Sequence, residues 1–183
     1  MMVSLDGYIE TADHKIDWIT IDEEIHRVAN DEAREEGMFL YGRRLYDLMA
    51  AYWPTADADP SIPEYMAEFA RIWRDKPKVV FSKTLQRVDW NSRLVRGDAA
   101  AEIRRLKQGS DRDLSIGGPT LAATAIRHGL IDEYRLMVNP VVLGAGTPFF
   151  SAVDRPISLR LLERRSFAAG VVYLRYAAAD AGR

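Results

Sequence analysis

The chain contains no cysteine among its 183 residues. That removes disulfides, thiolate metal sites and cysteine nucleophiles, and it agrees with a cytoplasmic setting. Only three histidines occur, His14, His26 and His128, far apart in sequence. None forms a His-x-x-x-His or His-Glu pattern on a helix, so a histidine metal centre is not expected. No apolar run approaches the roughly 20 residues that span a bilayer, and the start lacks a basic-then-apolar signal pattern. An excess of one charge is missing too: 25 Lys and Arg stand against 27 Asp and Glu, a net −2. This balance gives no electrostatic case for nucleic acid or an anionic membrane as partner.

With 48% apolar residues the chain can bury a sizeable core. One domain over residues 1–176 is expected, with a small, fraying tail over 177–183. Strands and helices alternate, which favours a layered α/β fold. Strands are expected at Met2 to Leu5, Tyr8-Ile9, Met38 to Tyr41, Lys78 to Phe81, Leu94-Val95, Leu114 to Ile116, Tyr134 to Val138 and Val171 to Tyr176. Ser158 to Arg165 is expected to supply the antiparallel partner of the last. Helical spacing runs over Asp22 to Glu36, Arg43 to about Ala51, and Asp98 to Lys107. A loop is expected over Thr55 to Pro60. Ser61-Ile62-Pro63-Glu64 looks like a capped start for a helix to Trp73.

The most telling stretch is Ser115 to Phe150. Gly117-Gly118 comes directly off a strand, and Pro119-Thr120 opens a helix, where proline is tolerated at the first position. Glycines let backbone approach a bound group, and a helix N-terminus offers unpaired N–H groups with a positive dipole end. The pair suits a phosphate, although an isolated Gly-Gly also serves an ordinary strand-to-helix turn. At two other strand ends, Gly42-Arg43-Arg44 opens a helix with cations and Ser82-Lys83-Thr84 offers two hydroxyls and a cation. Singly these read equally as a solvated helix start and a turn. Gly144 to Gly146 lacks the third glycine and the helix of a Rossmann fingerprint.

Four segments in order carry a resemblance. They are Ser4-Leu5-Asp6-Gly7-Tyr8-Ile9, Tyr41-Gly42-Arg43-Arg44-Leu45-Tyr46, Gly117-Gly118 with Leu121 and then Gly129-Leu130-Ile131-Asp132-Glu133, and Asn139 through Phe150. Together, over about residues 3 to 176, they resemble the C-terminal reductase domain of the bifunctional riboflavin-biosynthesis deaminase-reductase, a branch of the dihydrofolate reductase fold. The resemblance implies a three-layer α/β/α fold with a central mixed, mostly parallel sheet and an antiparallel C-terminal edge. Only Met1-Met2-Val3 precede the first segment, so either the first strand is short or the chain starts downstream of the usual start.

By the same resemblance the cofactor is NADPH. Gly42, Arg43 and Arg44 would hold phosphates, Ser82, Lys83 and Thr84 the adenosine phosphate end, and Gly117, Gly118, Pro119, Thr120 and Leu121 the pyrophosphate. The cations favour NADPH over NADH, because a ribose 2′-hydroxyl is typically read by an acid. The implied reaction is hydride transfer to a C=N or C=O bond of a small heterocycle, nominally 5-amino-6-(5-phosphoribosylamino)uracil. That substrate's phosphate needs a second basic site, and none is assigned. Asp6, Trp18, Tyr46, Gly144, Gly146 and Thr147 are candidates for the substrate pocket. Asp6 and Glu23 are candidate catalytic residues. Asp6 reads equally as a turn residue bonded to its own backbone, Glu23 as a dipole-favoured helix start, and Tyr46 as core. The zinc-deaminase signature of the bifunctional enzyme is absent from the chain, so no metal is expected. Alternatives are a dihydrofolate reductase acting on a pteridine, and a non-catalytic NADPH-binding module. A homodimer is implied by resemblance, with the late strands as interface.

Overall fold

The computed structural model describes residues 1–151 and 153–179. In chain order its strands are β1 Met2–Ser4, β2 Tyr8–Glu10, β3 Met38–Gly42, β4 Lys78–Phe81, β5 Ser92–Val95, β6 Leu114–Gly117, β7 Glu133–Asn139, β8 Thr147–Pro148, β9 Leu159–Ser166 and β10 Val172–Ala178. The helices are α1 Glu23–Glu35, α2 Arg43–Tyr52, α3 Glu64–Asp75, α4 Ala99–Gln108 and α5 Pro119–Arg127. The chain divides into two compact units, one of Met1–Asp22 with Ala125–Arg183 and one of Glu23–Thr124.

The continuous unit is built on an all-parallel sheet in the order β5-β4-β3-β6. Strands of such sheets, covered on both faces, read as near-continuous apolar runs, and all four residues of β4 are buried. Phe39, Tyr41, Trp73 and Val80 form the core with Tyr46 of α2, and Leu45, Phe69 and Leu94 pack against it. Asp98 caps α4, accepting hydrogen bonds from the backbone N–H of Ala100 at 2.9 Å and of Ala101 at 3.1 Å, which satisfies two orphan donors of the first turn.

Two expectations fail around α3. Ser61 does not cap the helix: its N–H and hydroxyl both donate to Asp59 Oδ1, at 2.8 and 2.7 Å, and Pro63 takes the cap position without a side-chain bond. The expected loop after α2 is a 3-10 helix, Trp53–Ala58. Arg74 holds it from α3, donating to Pro54 O at 2.9 Å and to both carboxylate oxygens of Asp57 at 2.8 and 2.9 Å.

Lys78 is the exception in β4, 2% exposed. Its ammonium donates to the carbonyls of Trp73 at 2.5 Å and Lys76 at 2.7 Å, closing the C-terminal end of α3. Burial pushes its pKa down to about 8 from the ordinary 10.5. Below pH 8 the folded state carries the desolvated charge. Between pH 8 and 10.5 the unfolded state binds more protons, so stability rises with pH, by about 3 kcal/mol for this group. Lys78→Met is therefore expected to flatten the rise in urea midpoint between pH 7.5 and 10. Parallel pH profiles of wild type and variant would contradict this account.

The discontinuous unit has a mixed sheet in the order β1-β7-β10-β9 and a two-stranded ribbon of β2 and β8. β1 runs parallel to β7, whereas β10 is antiparallel to both β7 and β9. Val3, Ile9, Ile126, Tyr134 and Phe149 form its core. Asn139 is fully buried; its Oδ1 accepts from Thr20 N–H at 2.9 Å, and its Nδ2 donates to Met137 O at 3.2 Å. The last strand extends through Ala178, whose N–H bonds Asp132 O at 2.8 Å, so Ala177 and Ala178 belong to the sheet and not to a tail. Residues 180–183 of the expected tail lie outside the described residues.

Candidate cofactor and substrate sites

The carboxyl ends of three neighbouring parallel strands bring the cofactor candidates together. Tyr41 of β3 pairs with Gly117 of β6, and Gly42 pairs with Phe81 of β4. Helices α2 and α5 therefore open beside one another, and Ser82-Lys83-Thr84 leaves β4 next to them. The glycines decide how close these segments come. A Cβ on Gly117 would lie 2.4 Å from Leu45 Cδ2. One on Gly118, where φ is +94°, would lie 3.6 Å from Gly42 N and from Leu45 Cβ. A side chain at Gly117 would displace that of Leu45, and one at Gly118 would be strained by the positive φ.

Gly42 has no side chain to cap α2, and neither α2 nor α5 has an acid in its first turn. The N–H groups and positive dipole ends of both helices thus face one region with no carboxylate in either first turn. Arg43, Arg44, Lys83 and Thr84 are exposed there. Arg43 Nη1 donates to Thr84 Oγ1 at 2.8 Å and its Nε to Asp47 Oδ2 at 3.3 Å. Ser82 Oγ accepts from the N–H groups of Thr84 and Leu85 at 3.2 and 3.1 Å. Leu121 is buried and packs toward Gly42, while Thr120 is exposed on the first turn of α5.

Sequence reasoning missed Arg96. It follows β5 directly, as Gly42 ends β3 and Ser82 follows β4, and its guanidinium donates to Leu85 O at 2.7 Å and Gln86 O at 3.1 Å. Its position one residue past a strand end was the available signal.

The substrate candidates divide between the units. Tyr46 is 6% exposed in the core; its hydroxyl accepts from Asp89 N–H at 2.8 Å and donates to Asp89 O at 3.3 Å. It is a packing residue, not a pocket wall, because burial forces its hydroxyl to find a local partner. Glu23 is exposed at the start of α1 and pairs with Arg27 one turn on, at 2.6 Å. It sits there as a helix-start acid in an exposed ion pair.

Asp6 lies in the other unit and joins two loops. Its Oδ1 accepts from Ser4 Oγ at 2.7 Å and Leu143 N–H at 3.1 Å, and its Oδ2 from Gly144 N–H at 2.8 Å. Chiefly the Ser4 hydroxyl, with the Gly144 and Leu143 N–H groups, holds its pKa below the usual carboxylate value. Asp6 thereby ties the Gly144 loop to the Ser4 turn.

Thr147 and Gly146 are drawn to a residue that the motifs did not single out, Glu10. It is buried at 7% exposure, and its Oε1 accepts from Thr147 Oγ1 and from His14 Nδ1, both at 2.7 Å. Gly146 lies so close that a Cβ would stand 2.0 Å from Glu10 O. The close approach that this glycine permits is to the β2 backbone. Trp18 is half-buried, and its indole N–H finds no acceptor among the described residues.

Parallel strand ends with paired helix N-termini, joined in one chain to a mixed sheet with an antiparallel edge, define a dihydrofolate-reductase-like α/β fold. The RibD C-terminal domain family matches residues 1–173, and the chain belongs to that family. It is 33% identical over 177 residues to the uncharacterized protein YyaP of Bacillus subtilis (strain 168), covering 96% of this chain and 91% of that protein. Uncharacterized YwjB of the same strain is 28% identical over 172 residues, 92% of this chain and 90% of its own. Among solved structures, a putative riboflavin biosynthesis protein from Shewanella sp. PV-4 aligns with TM-score 0.72 and 23% identity, covering 97% and 96% of the two chains. Dihydrofolate reductase from Enterococcus faecalis, complexed with NADP(H) and RAB-propyl, aligns with TM-score 0.64 and 12% identity, covering 98% and 94%. The structural likenesses establish the fold, and the family match places the chain among RibD C-terminal domains.

Proposed function

We propose that the protein is an NADPH-dependent, cytoplasmic reductase acting on a C=N or C=O bond of a small heterocycle, with 5-amino-6-(5-phosphoribosylamino)uracil as the nominal substrate. The observation that carries this reading is the row of strand ends where Gly42, Gly117 and Gly118 draw two helix N-termini together beside Arg43 and Thr84. The first-turn N–H groups of α2 and α5, brought side by side by this packing, are the donors that would meet a pyrophosphate.

In this reading Gly117 to Leu121 and the start of α2 hold the pyrophosphate, and Arg43, Ser82, Lys83 and Thr84 hold the 2′-phosphate. A bound dihydronicotinamide supplies the hydride, and the protein supplies position and electrostatics. Asp6 keeps the Gly144 loop in register with the Ser4 turn. A homodimer is proposed through β9, an edge strand with Leu159, Leu161 and Leu162 exposed.

Titration of the protein with NADPH and, separately, NADH, followed by nicotinamide fluorescence, tests the cofactor reading. NADPH is expected to bind at least tenfold tighter. Equal affinities, or no binding, would remove it.

A further inference from the structure

The loop after β4 carries the three residues assigned to the adenosine phosphate, and its shape is held from two sides. On one side Arg43 Nη1 grips Thr84 Oγ1 at 2.8 Å. On the other, Arg96 donates from Nη1 to Leu85 O at 2.7 Å and from Nη2 to Gln86 O at 3.1 Å. Between them Ser82 Oγ accepts the N–H groups of Thr84 and Leu85, and Gln86 Nε2 donates to Thr84 O at 3.3 Å. Three consecutive carbonyls, of residues 84, 85 and 86, thus have side-chain donors.

Ordering a loop residue costs backbone conformational entropy. A loop left free would meet that cost at the moment of binding, whereas one already held meets it on folding. Two successive carbonyls aimed at one guanidinium use the planar fork of arginine, which a single ammonium does not reproduce. With its carbonyls turned toward Arg96, the loop presents its hydroxyls on the side of Arg43.

We infer that Arg96 is a positioning residue for cofactor choice: it holds the Ser82–Gln86 loop in the form that receives a ribose 2′-phosphate. The inference rests on the cofactor reading proposed above. It assigns a role in selectivity to a residue whose own guanidinium faces backbone carbonyls.

Two measurements on the full chain test it. In Arg96→Met, the NADPH dissociation constant is expected to rise fivefold or more while that for NADH changes less than twofold. Without cofactor, the amide protons of Thr84 and Leu85 are expected to exchange at least tenfold faster in the variant. The Ser82 amide, bonded to Val95 O at 3.0 Å in the continuing ladder, should change little. Arg96→Lys keeps the charge and serves where Arg96→Met does not fold; it is expected to lose at least twofold of the NADPH preference. An unchanged ratio of the two constants overturns the inference. So does a lost preference with unchanged amide exchange, which would make Arg96 a direct charge contact. Wild-type protein that binds NADPH no tighter than NADH removes the underlying cofactor reading, before any variant is made.

Discussion

Gly146→Ala is expected to lower the unfolding free energy by about 3 kcal/mol or more. Two independent costs combine at this position. Its φ of +145° lies where side chains are rarely found, and an added Cβ would meet Glu10 O at 2.0 Å, with further backbone atoms at 3.1 and 3.3 Å. Backbone cannot swing aside as a flexible side chain can, so relief requires parting β8 from β2, where Glu10 pairs with Thr147. That movement also exposes the buried Glu10 carboxylate and breaks its bond with Thr147. Gly144 supplies the comparison. Its φ is +73°, but nothing lies within 4 Å of its added Cβ, so Gly144→Ala should cost only about 1 kcal/mol, the conformational part. Urea unfolding of the two variants decides the matter: equal losses would mean that the close approach adds nothing.

The double variant Arg43→Ala with Lys83→Ala is expected to raise the NADPH dissociation constant tenfold or more. A charge-assisted hydrogen bond contributes about 1.5–3 kcal/mol, and two cations on the same phosphate exceed a factor of ten even at the low end. Arg43 has a second task, holding Thr84, so the single variant Arg43→Ala should cost more than Lys83→Ala. Both side chains are exposed, so the fold should survive and the thermal midpoint should move little. Weaker binding should also show a reduced dependence on salt, because screening acts on the lost charges. An unchanged dissociation constant would refute the assignment of these cations to phosphate.

The parts legible in the sequence are those fixed by backbone chemistry. Lys78 to Phe81 was readable as a strand because parallel strands leave an apolar run. Gly117-Gly118 before Pro119 was readable because few other residues turn a strand into a helix so sharply. The roles of single polar side chains were far less legible, since each depends on what the fold brings close. Tyr46 looked like a flat wall for a heterocycle, but its hydroxyl is satisfied by the backbone of Asp89, 43 positions along the chain. Asp6 sits in the turn where it was expected, yet its partners Leu143 and Gly144 are more than 130 positions away. Ser61 illustrates local competition, where Asp59 two residues earlier takes the hydroxyl that the capping pattern reserves for a helix. Arg96 carried no motif, because bonds to carbonyls leave no signature in residue type.

The division of the chain into a continuous unit and a discontinuous one orders its synthesis. β1 is the first strand to emerge, yet its partner β7 begins only at Glu133. At roughly 5–20 residues per second the first strand remains unpaired on the order of ten seconds. Meanwhile every strand of the β5-β4-β3-β6 sheet is complete by Gly117. The unit with the candidate phosphate site can thus assemble on a nascent chain whose other sheet still lacks β7, β9 and β10. A chain released before Met137 would keep that sheet but leave Met2, Val3 and Ser4 without the residues they pair with.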